Sequence, residues 1–302
     1  MKQKSQQSLE YAAKNCGIVL LYHSISPVCP GKPENTIHNT TPECFENNLR
    51  DIGQHFKFVT LEEFSSSADK SGLASVTFDD GYKNILSNAL PVLEKHNIIG
   101  TLFLNPITFH KQYNWRDKVR HVIRHNLEET FLENASLSFR EGTFYRYSKS
   151  CLNNSQCIDN ILNSLIGNNT PDVYGTYPYI TVNDLILDNP SISYGNHTLN
   201  HYVLSSLDES QQYHQIIESE NILQQAVGPK VSRCFSAPFG GTCDINQITL
   251  NILQEAAYES ILMSRQKLQP AQAETRHLQV LERFMPRSEN IIDEVLGILN
   301  TA

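Results

Sequence analysis

Short apolar runs alternate with amphipathic stretches along this chain, and that rhythm constrains its fold more than any other feature. The runs are "GIVLLYHSIS", "LASVTFDD", "IIGTLFLN", "PSISYGNH", "SRCFSAPFG", "ESILM" and "QVLERF". Each is a short run of mostly apolar character bounded by turn residues, the mark of a strand buried on both faces. Between them lie helical patterns. In "TTPECFENNLRDIGQHF", Thr41 caps and Pro42 takes the first helical position. Phe45, Leu49 and Ile52 then follow at helical spacing. "GYKNILSNALPVLEKHN" puts Ile85, Leu86, Ala89, Leu90 and Leu93 on one face, and "DESQQYHQIIESENILQQAVG", "DINQITLNILQEAAY" and "SENIIDEVLGIL" are further helices. Strands alternating with helices imply a parallel sheet with helices outside it. About seven such strands can form an open sheet or a barrel.

The rhythm breaks between about residues 106 and 190. "NWRDKVRHVIRHNL" sets Trp115, Val119, Val122, Ile123 and Leu127 on a helical face, "ASLSFREGTFYRYS" reads as a hairpin around Gly142, and "CIDNILNSLIG" is helical. "NNTPDVYGTYPY" is a loop carrying Tyr174, Tyr177 and Tyr179. The stretch reads as a mostly helical insertion within a single domain spanning 1–302.

Composition narrows the function classes. A chain of 302 residues that is 40% hydrophobic and 19% charged can bury a sizeable core. Its formal charge is −8 and it has no basic block, so nucleic acid is not an expected partner. "GIVLLY" is too short to span a bilayer, and "MKQKSQQSLEYAAKNC" lacks the apolar core of a signal peptide. Seven scattered cysteines without a CxxC pair favour neither a disulfide framework nor a cysteine–zinc site. The expectation is a cytoplasmic protein with reduced thiols and no integral membrane segment.

Three stretches carry chemistry. Asp79 and Asp80 end an apolar strand and precede Gly81. Neighbouring side chains on a strand face opposite ways, so the two carboxylates converge only if the chain turns there, which Gly81 permits. A helix cap would account for one aspartate but not for both. His197 and His201 have HxxxH spacing, which on a helix would stack both imidazoles on one face around an ion. In "FSAPFGG", a proline–glycine turn after a strand can offer the Phe239 N–H to a developing oxyanion.

TFDDG, then HTxxH, then a strand ending in APFG, in that order, resemble the polysaccharide deacetylase family. This is the NodB-homology family, carbohydrate esterase family four. The likeness runs from "IVLLYHSIS" to "LERFMPR". It implies a distorted (β/α) barrel of about seven strands and a metal-dependent amide hydrolase acting on an amino sugar or glycan. By position, Asp80, His197 and His201 would bind a divalent metal, zinc foremost. Asp79 would be the general base, and Phe239 would donate its backbone N–H to the oxyanion. The family's usual acid, a histidine after a late apolar strand, has no counterpart there, since His277 is in a polar context. His23, after the first strand, has that character, as in circularly permuted relatives, and is expected to be the general acid.

Two departures affect these expectations. Ser236 stands where many members carry an arginine that orients the base; Arg283 in "VLERFMPR" is the expected substitute. The family's aspartate–tryptophan motif is missing, and the single tryptophan, Trp115, lies in the insertion. The leading expectation is removal of N-acetyl groups from an amino sugar in a surface-glycan precursor or oligosaccharide. Deformylation or hydrolysis of another amide by the same site is the near alternative, and an inactive glycan-binding module the more distant one.

Overall fold

The computed structural model describes residues 2–27, 38–135, 143–167, 177–228, 231–272, 277–288 and 290–299, with side chains from residue 9 onward. Seven parallel strands form the frame. These are β1 (Cys16–Tyr22), β2 (Leu73–Phe78), β3 (Gly100–Leu104), β4 (Ile192–Asn196), β5 (Val231–Ser236), β6 (Ser260–Met263) and β7 (Gln279–Glu282). Each pairs with the next in chain order. The ring closes just past β7, where the Leu21 N–H donates to the Phe284 carbonyl and the Phe284 N–H to the Val19 carbonyl, both at 2.9 Å. This bridge all but closes the sheet and resolves the open-sheet alternative in favour of a barrel. Two-residue strands at Lys57–Phe58 and Gln269–Pro270 extend the same sheet beside β2 and β1.

The two-residue period of the strands sorts the side chains. Ile18, Leu20, Tyr22, Val76, Phe78, Leu102 and Leu104 pack outward with Phe45, Leu49 and Ile52 of the helix Pro42–Gly53 and Leu93 of the helix Leu90–His96. Val19, Phe103, Cys234, Leu262 and Leu281, each from a different strand, meet in a separate cluster that fills the barrel interior. Leu61 and Phe64, from the helix Leu61–Ser66, plug the barrel's N-terminal end. The C-terminus of that short helix is capped by buried Lys70, whose Nζ donates to the Phe64, Ser65 and Ser67 carbonyls at 2.8, 3.0 and 2.8 Å.

Between β3 and β4 the described residues are mainly helical. They include the helices Trp115–Arg124, Glu128–Asn134, Phe144–Ser148 and Ser155–Ile166. Their apolar faces join Tyr202, Phe235, Ile252 and Tyr258 in a second core outside the ring. The hairpin expected around Gly142 has its first arm outside the described residues. Its second arm is instead a helical turn, Phe144–Ser148, capped by the Thr143 hydroxyl. Tyr174 also lies outside the described residues. Tyr177 and Tyr179 pack with Tyr82 and Tyr113 beside the barrel mouth.

Gly195 shows how tight the interior is. A Cβ there would lie 2.4 Å from the Phe103 ring. Gly195→Ala is expected to cost about 1–3 kcal/mol through overpacking, read as a lower urea midpoint at unchanged slope. A midpoint equal to the wild type would mean that the ring has room to yield.

Candidate functional site

Two residues along each inward-facing row, the side chains that fill the barrel give way to those that can do chemistry. Val19 and Leu21 lead to His23, Ser75 and Thr77 to Asp79, Gly195 to His197, Cys234 to Ser236, and Leu281 to Arg283. The C-terminal mouth of the barrel therefore collects one polar residue from each of several strands. Asp79, Asp80, His197, His201, Phe239 and His23 all line one cavity of about 380 Å³ there. Arg283 lies behind Asp79, fully buried.

The turn that sequence reasoning required at Asp79–Gly81 is present. The Asp79 N–H still donates to the Tyr22 carbonyl, at 3.0 Å, as an extension of the β1–β2 ladder. Asp80 (φ 68°) and Gly81 (φ 68°) then both adopt the left-handed region. That swings Asp80 onto the same side as Asp79, and aspartate is among the residues that tolerate the region.

The HTLNH stretch is not helical, contrary to the expectation from HxxxH spacing. It is a loop in which Thr198 (φ 66°) and His201 (φ 60°) are left-handed. Polar clamps replace helical hydrogen bonds. The Thr198 N–H donates to Asn196 Oδ1 (2.8 Å) and the His201 N–H to Thr198 Oγ1 (3.0 Å), while Asn105 Nδ2 donates to the His197 and Thr198 carbonyls. The imidazoles converge all the same. Asp80 Oδ1 lies 3.5 Å from His197 Nε2 and 3.2 Å from His201 Nε2.

These three residues could hold a cation. One ligand atom from each falls within 4.8 Å of the others. Asp80 Oδ1 is buried and takes no hydrogen bond, a cost that an ion would offset. His197 Nδ1 lies 2.8 Å from the Ser236 carbonyl, so donation there leaves the Nε2 lone pair facing Asp80. One carboxylate with two imidazoles suits zinc and other first-row divalent metals, and leaves positions open.

Asp79 sits beside this group but is held from behind. Arg283 Nη1 and Nη2 donate to its two oxygens at 2.8 Å each, and Ser236 Oγ donates to Oδ1 at 3.0 Å. Arg283 is itself fixed by Ser264 Oγ at 2.9 Å. Burial alone would raise the Asp79 pKa, but Arg283 and then His197 outweigh it and hold the carboxyl below the ordinary aspartate range. Ser236 is short, and the guanidinium that reaches the carboxylate comes from the end of β7.

Phe239 (φ 62°) and Gly240 (φ 66°) form the turn after β5. The Phe239 ring packs 4.8 Å from that of His201. Four left-handed non-glycine residues, Asp80, Thr198, His201 and Phe239, thus gather in one site, the strained backbone expected where function dictates geometry. His23 lies at the cavity edge, its ring 5.1 Å from that of His38 and its Nδ1 buried without a partner. Burial lowers its pKa, partly opposed by Asp80 and Asp79.

Sequence reasoning missed a set of residues from the insertion. Trp115 Nε1 donates to the His201 carbonyl at 2.7 Å, and its ring meets Phe239, so the single tryptophan buttresses the site. Arg116, Arg120, Tyr145 and Lys149 line the same cavity, with Arg116 and Lys149 beside the Phe239 ring. The available signal was the pair Arg116 and Arg120, one turn apart and flanking the apolar stripe of Trp115, Val119 and Val122.

The sequence model of the polysaccharide deacetylase family matches residues 66–261, more than half of the chain. Asp79, Asp80, His197, His201 and Phe239 fall inside that span; His23 and Arg283 fall outside it. A poly-β-1,6-N-acetyl-D-glucosamine N-deacetylase of Staphylococcus epidermidis is 31% identical over 115 residues, covering 33% of this chain and 39% of that protein. The match thus spans less than half of the curated relative. Among solved structures, the Streptococcus pyogenes deacetylase PplD in complex with acetate superposes with a TM-score of 0.61 at 15% identity, covering 94% of this chain and 97% of that one. IcaB from Ammonifex degensii superposes with a TM-score of 0.59 at 15% identity, covering 94% and 96%. At these identities the structural likeness speaks for the fold.

Arg283→Met would leave Asp79 buried without its cation. The expected loss is about 3–5 kcal/mol at pH 7, measured by urea unfolding. Because the folded pKa of Asp79 is depressed, the stabilisation is present above the unfolded value of about 3.9 and disappears as pH falls through the lower folded value. The deficit of the variant should therefore shrink in acid; a deficit independent of pH would mean that packing, not charge, is what Arg283 supplies.

Proposed function

This chain belongs to the polysaccharide deacetylase family, and on that premise we propose that it is a metal-dependent hydrolase removing N-acetyl groups from an amino sugar within a glycan. One observation carries the reading. A carboxylate kept ionised by a buried guanidinium, Asp79, stands beside a carboxylate–imidazole–imidazole set but is committed to Arg283 rather than to that set. Metal binding alone needs no such neighbour, whereas amide hydrolysis needs a base there. The curated relative is named for poly-β-1,6-N-acetyl-D-glucosamine, which favours N-acetylglucosamine as the sugar.

A divalent ion held by Asp80, His197 and His201 would polarise the acetamide carbonyl and acidify a water. The chain's own residues divide the remaining work. Asp79, facing the cavity with both oxygens anchored from behind, accepts the proton that the attacking water sheds. Arg283 keeps that carboxylate ionised and fixed in orientation. The Phe239 N–H, presented by the left-handed turn after β5, donates to the oxygen that gains negative charge. His23 gives the departing amine its proton; the burial that lowers its pKa makes it a stronger acid. Trp115 and Ser236 hold His201 and His197 through their backbone carbonyl contacts.

Two measurements test this. Acetate release from N-acetylglucosamine oligomers should stop on chelation and return when a divalent metal is restored. Release that persists after metal analysis shows the protein to be metal-free would refute the reading. Asp79→Asn should lower kcat by about 10²- to 10⁴-fold while the bound metal stays stoichiometric, and His23→Ala should fall in the same range. An Asp79→Asn variant of wild-type turnover would remove Asp79 from the role of base.

A further inference from the structure

Part of the cavity lining near the candidate metal ligands is cationic. Arg116 and Arg120 come from the helix Trp115–Arg124, and Lys149 follows the helix Phe144–Ser148; all three line the cavity. Arg116 is 3% exposed. Its guanidinium carbon lies 4.8 Å from the centre of the Trp115 ring, 4.4 Å from that of Tyr145 and 5.8 Å from that of Phe239. Its protein acceptors are neutral. Nη1 donates to Ser148 Oγ at 2.8 Å and Nη2 to the Tyr145 carbonyl at 3.2 Å, while Nε is buried with no acceptor. Lys149 Nζ sits 5.2 Å from the Tyr145 ring centre and 5.9 Å from that of Phe239.

No carboxylate among the described residues hydrogen-bonds to Arg116 or Lys149, and those close enough to act through space, Asp117 on Arg116 and Asp244 on Lys149, direct their hydrogen bonds to other groups. Asp117 accepts from Arg120 Nη1 (3.1 Å) and from the Tyr179 hydroxyl. Asp79 is held by Arg283, Asp80 faces the imidazoles, and Asp244 Oδ2 accepts from the Gly241 N–H at 2.7 Å. A guanidinium buried against neutral acceptors is costly unless an anion completes its surroundings. The local potential agrees: burial would raise the Tyr145 pKa, yet Arg116, Arg120 and Lys149 outweigh it and hold the phenol below its ordinary value. One aromatic ring, Phe239, separates this part of the lining from His201. That spacing is within reach of a substituent on the reacting sugar or its neighbour.

We propose that Arg116, Arg120 and Lys149 form an oxyanion subsite, so that the preferred glycan carries a carboxylate or phosphate group beside its acetamido sugar. The acetamido part rests on the hydrolase reading above; the anion site does not. The step is one of recognition, and the arginine fork suits either planar or tetrahedral oxyanions.

The test is calorimetric binding to the metal-loaded full chain. Three probes are compared: a tetrasaccharide alternating glucuronate with N-acetylglucosamine, the neutral N-acetylglucosamine tetramer, and a nucleoside-diphosphate-linked N-acetylglucosamine. At least one anionic probe should bind about 10-fold more tightly than the neutral tetramer, the expected scale for charge-assisted hydrogen bonds. The preference should shrink between about 0.05 M and about 0.5 M salt. Whichever anionic probe wins identifies a uronate or a phosphate as the source of the charge. In Arg116→Gln and in Lys149→Gln the ratio of anionic to neutral affinity should fall toward one. Lys149 is the less buried of the two, so its variant decides the matter if Arg116→Gln fails to fold. Equal or tighter binding of the neutral tetramer, or an unchanged ratio in folded Lys149→Gln, would overturn the proposal. Because the readout is binding, absence of acetate release from all three probes would count against the hydrolase reading while leaving this one standing.

Discussion

A buried ion pair between Arg283 and Asp79 ties the ends of the barrel to its chemistry. Asp79 follows β2 and Arg283 follows β7, the two strands that flank β1 where the ring closes. Both side chains are out of water, so each depends on the other: either alone would be an uncompensated charge in the interior. The bidentate geometry also fixes the direction in which Asp79 presents its oxygens. Closing the barrel and orienting the base are therefore a single structural event.

Around that pair the site is built by periodicity. Inward-facing residues, apolar apart from Ser75 and Thr77 on β2, fill the lower barrel, and the next inward position on several strands carries the site's polar groups. Helices outside the ring and the plug of Leu61 and Phe64 leave the mouth as the open end. The strand ends then need turns that ordinary residues resist, and four left-handed non-glycine residues mark where the chain accepts that strain. Tight surroundings hold them: Asn105 and Asn196 clamp the histidine loop, and Trp115 closes over its end.

The insertion contributes more than bulk. It supplies a second apolar core outside the ring, and its first long helix turns Trp115 toward His201 while presenting Arg116 and Arg120 to the cavity. A chain with a formal charge of −8 thus places three cations, Arg116, Arg120 and Lys149, together in the lining of the cavity at the barrel mouth. That concentration of positive charge against the overall balance distinguishes this mouth from a neutral sugar groove.

The sequence by itself determined the alternation of strands and helices, because runs buried on both faces and amphipathic helices leave periodic traces that need no partner to read. It also determined which residues are chemically equipped, since Asp79–Asp80–Gly81, His197 with His201, and the Pro238 turn are local motifs. Only the tertiary structure decided that the HxxxH pair acts from a clamped loop rather than a helix. Spacing cannot tell the two apart when side-chain and backbone clamps, from Asn105 at the end of the neighbouring strand β3 and from Asn196 within β4, replace helical hydrogen bonds. Only it decided that Arg283 meets Asp79 and that Arg116 is buried with no carboxylate hydrogen-bonded to it. Those relations join residues far apart in the chain, and they exist only once the ring has closed and the insertion has folded against its rim.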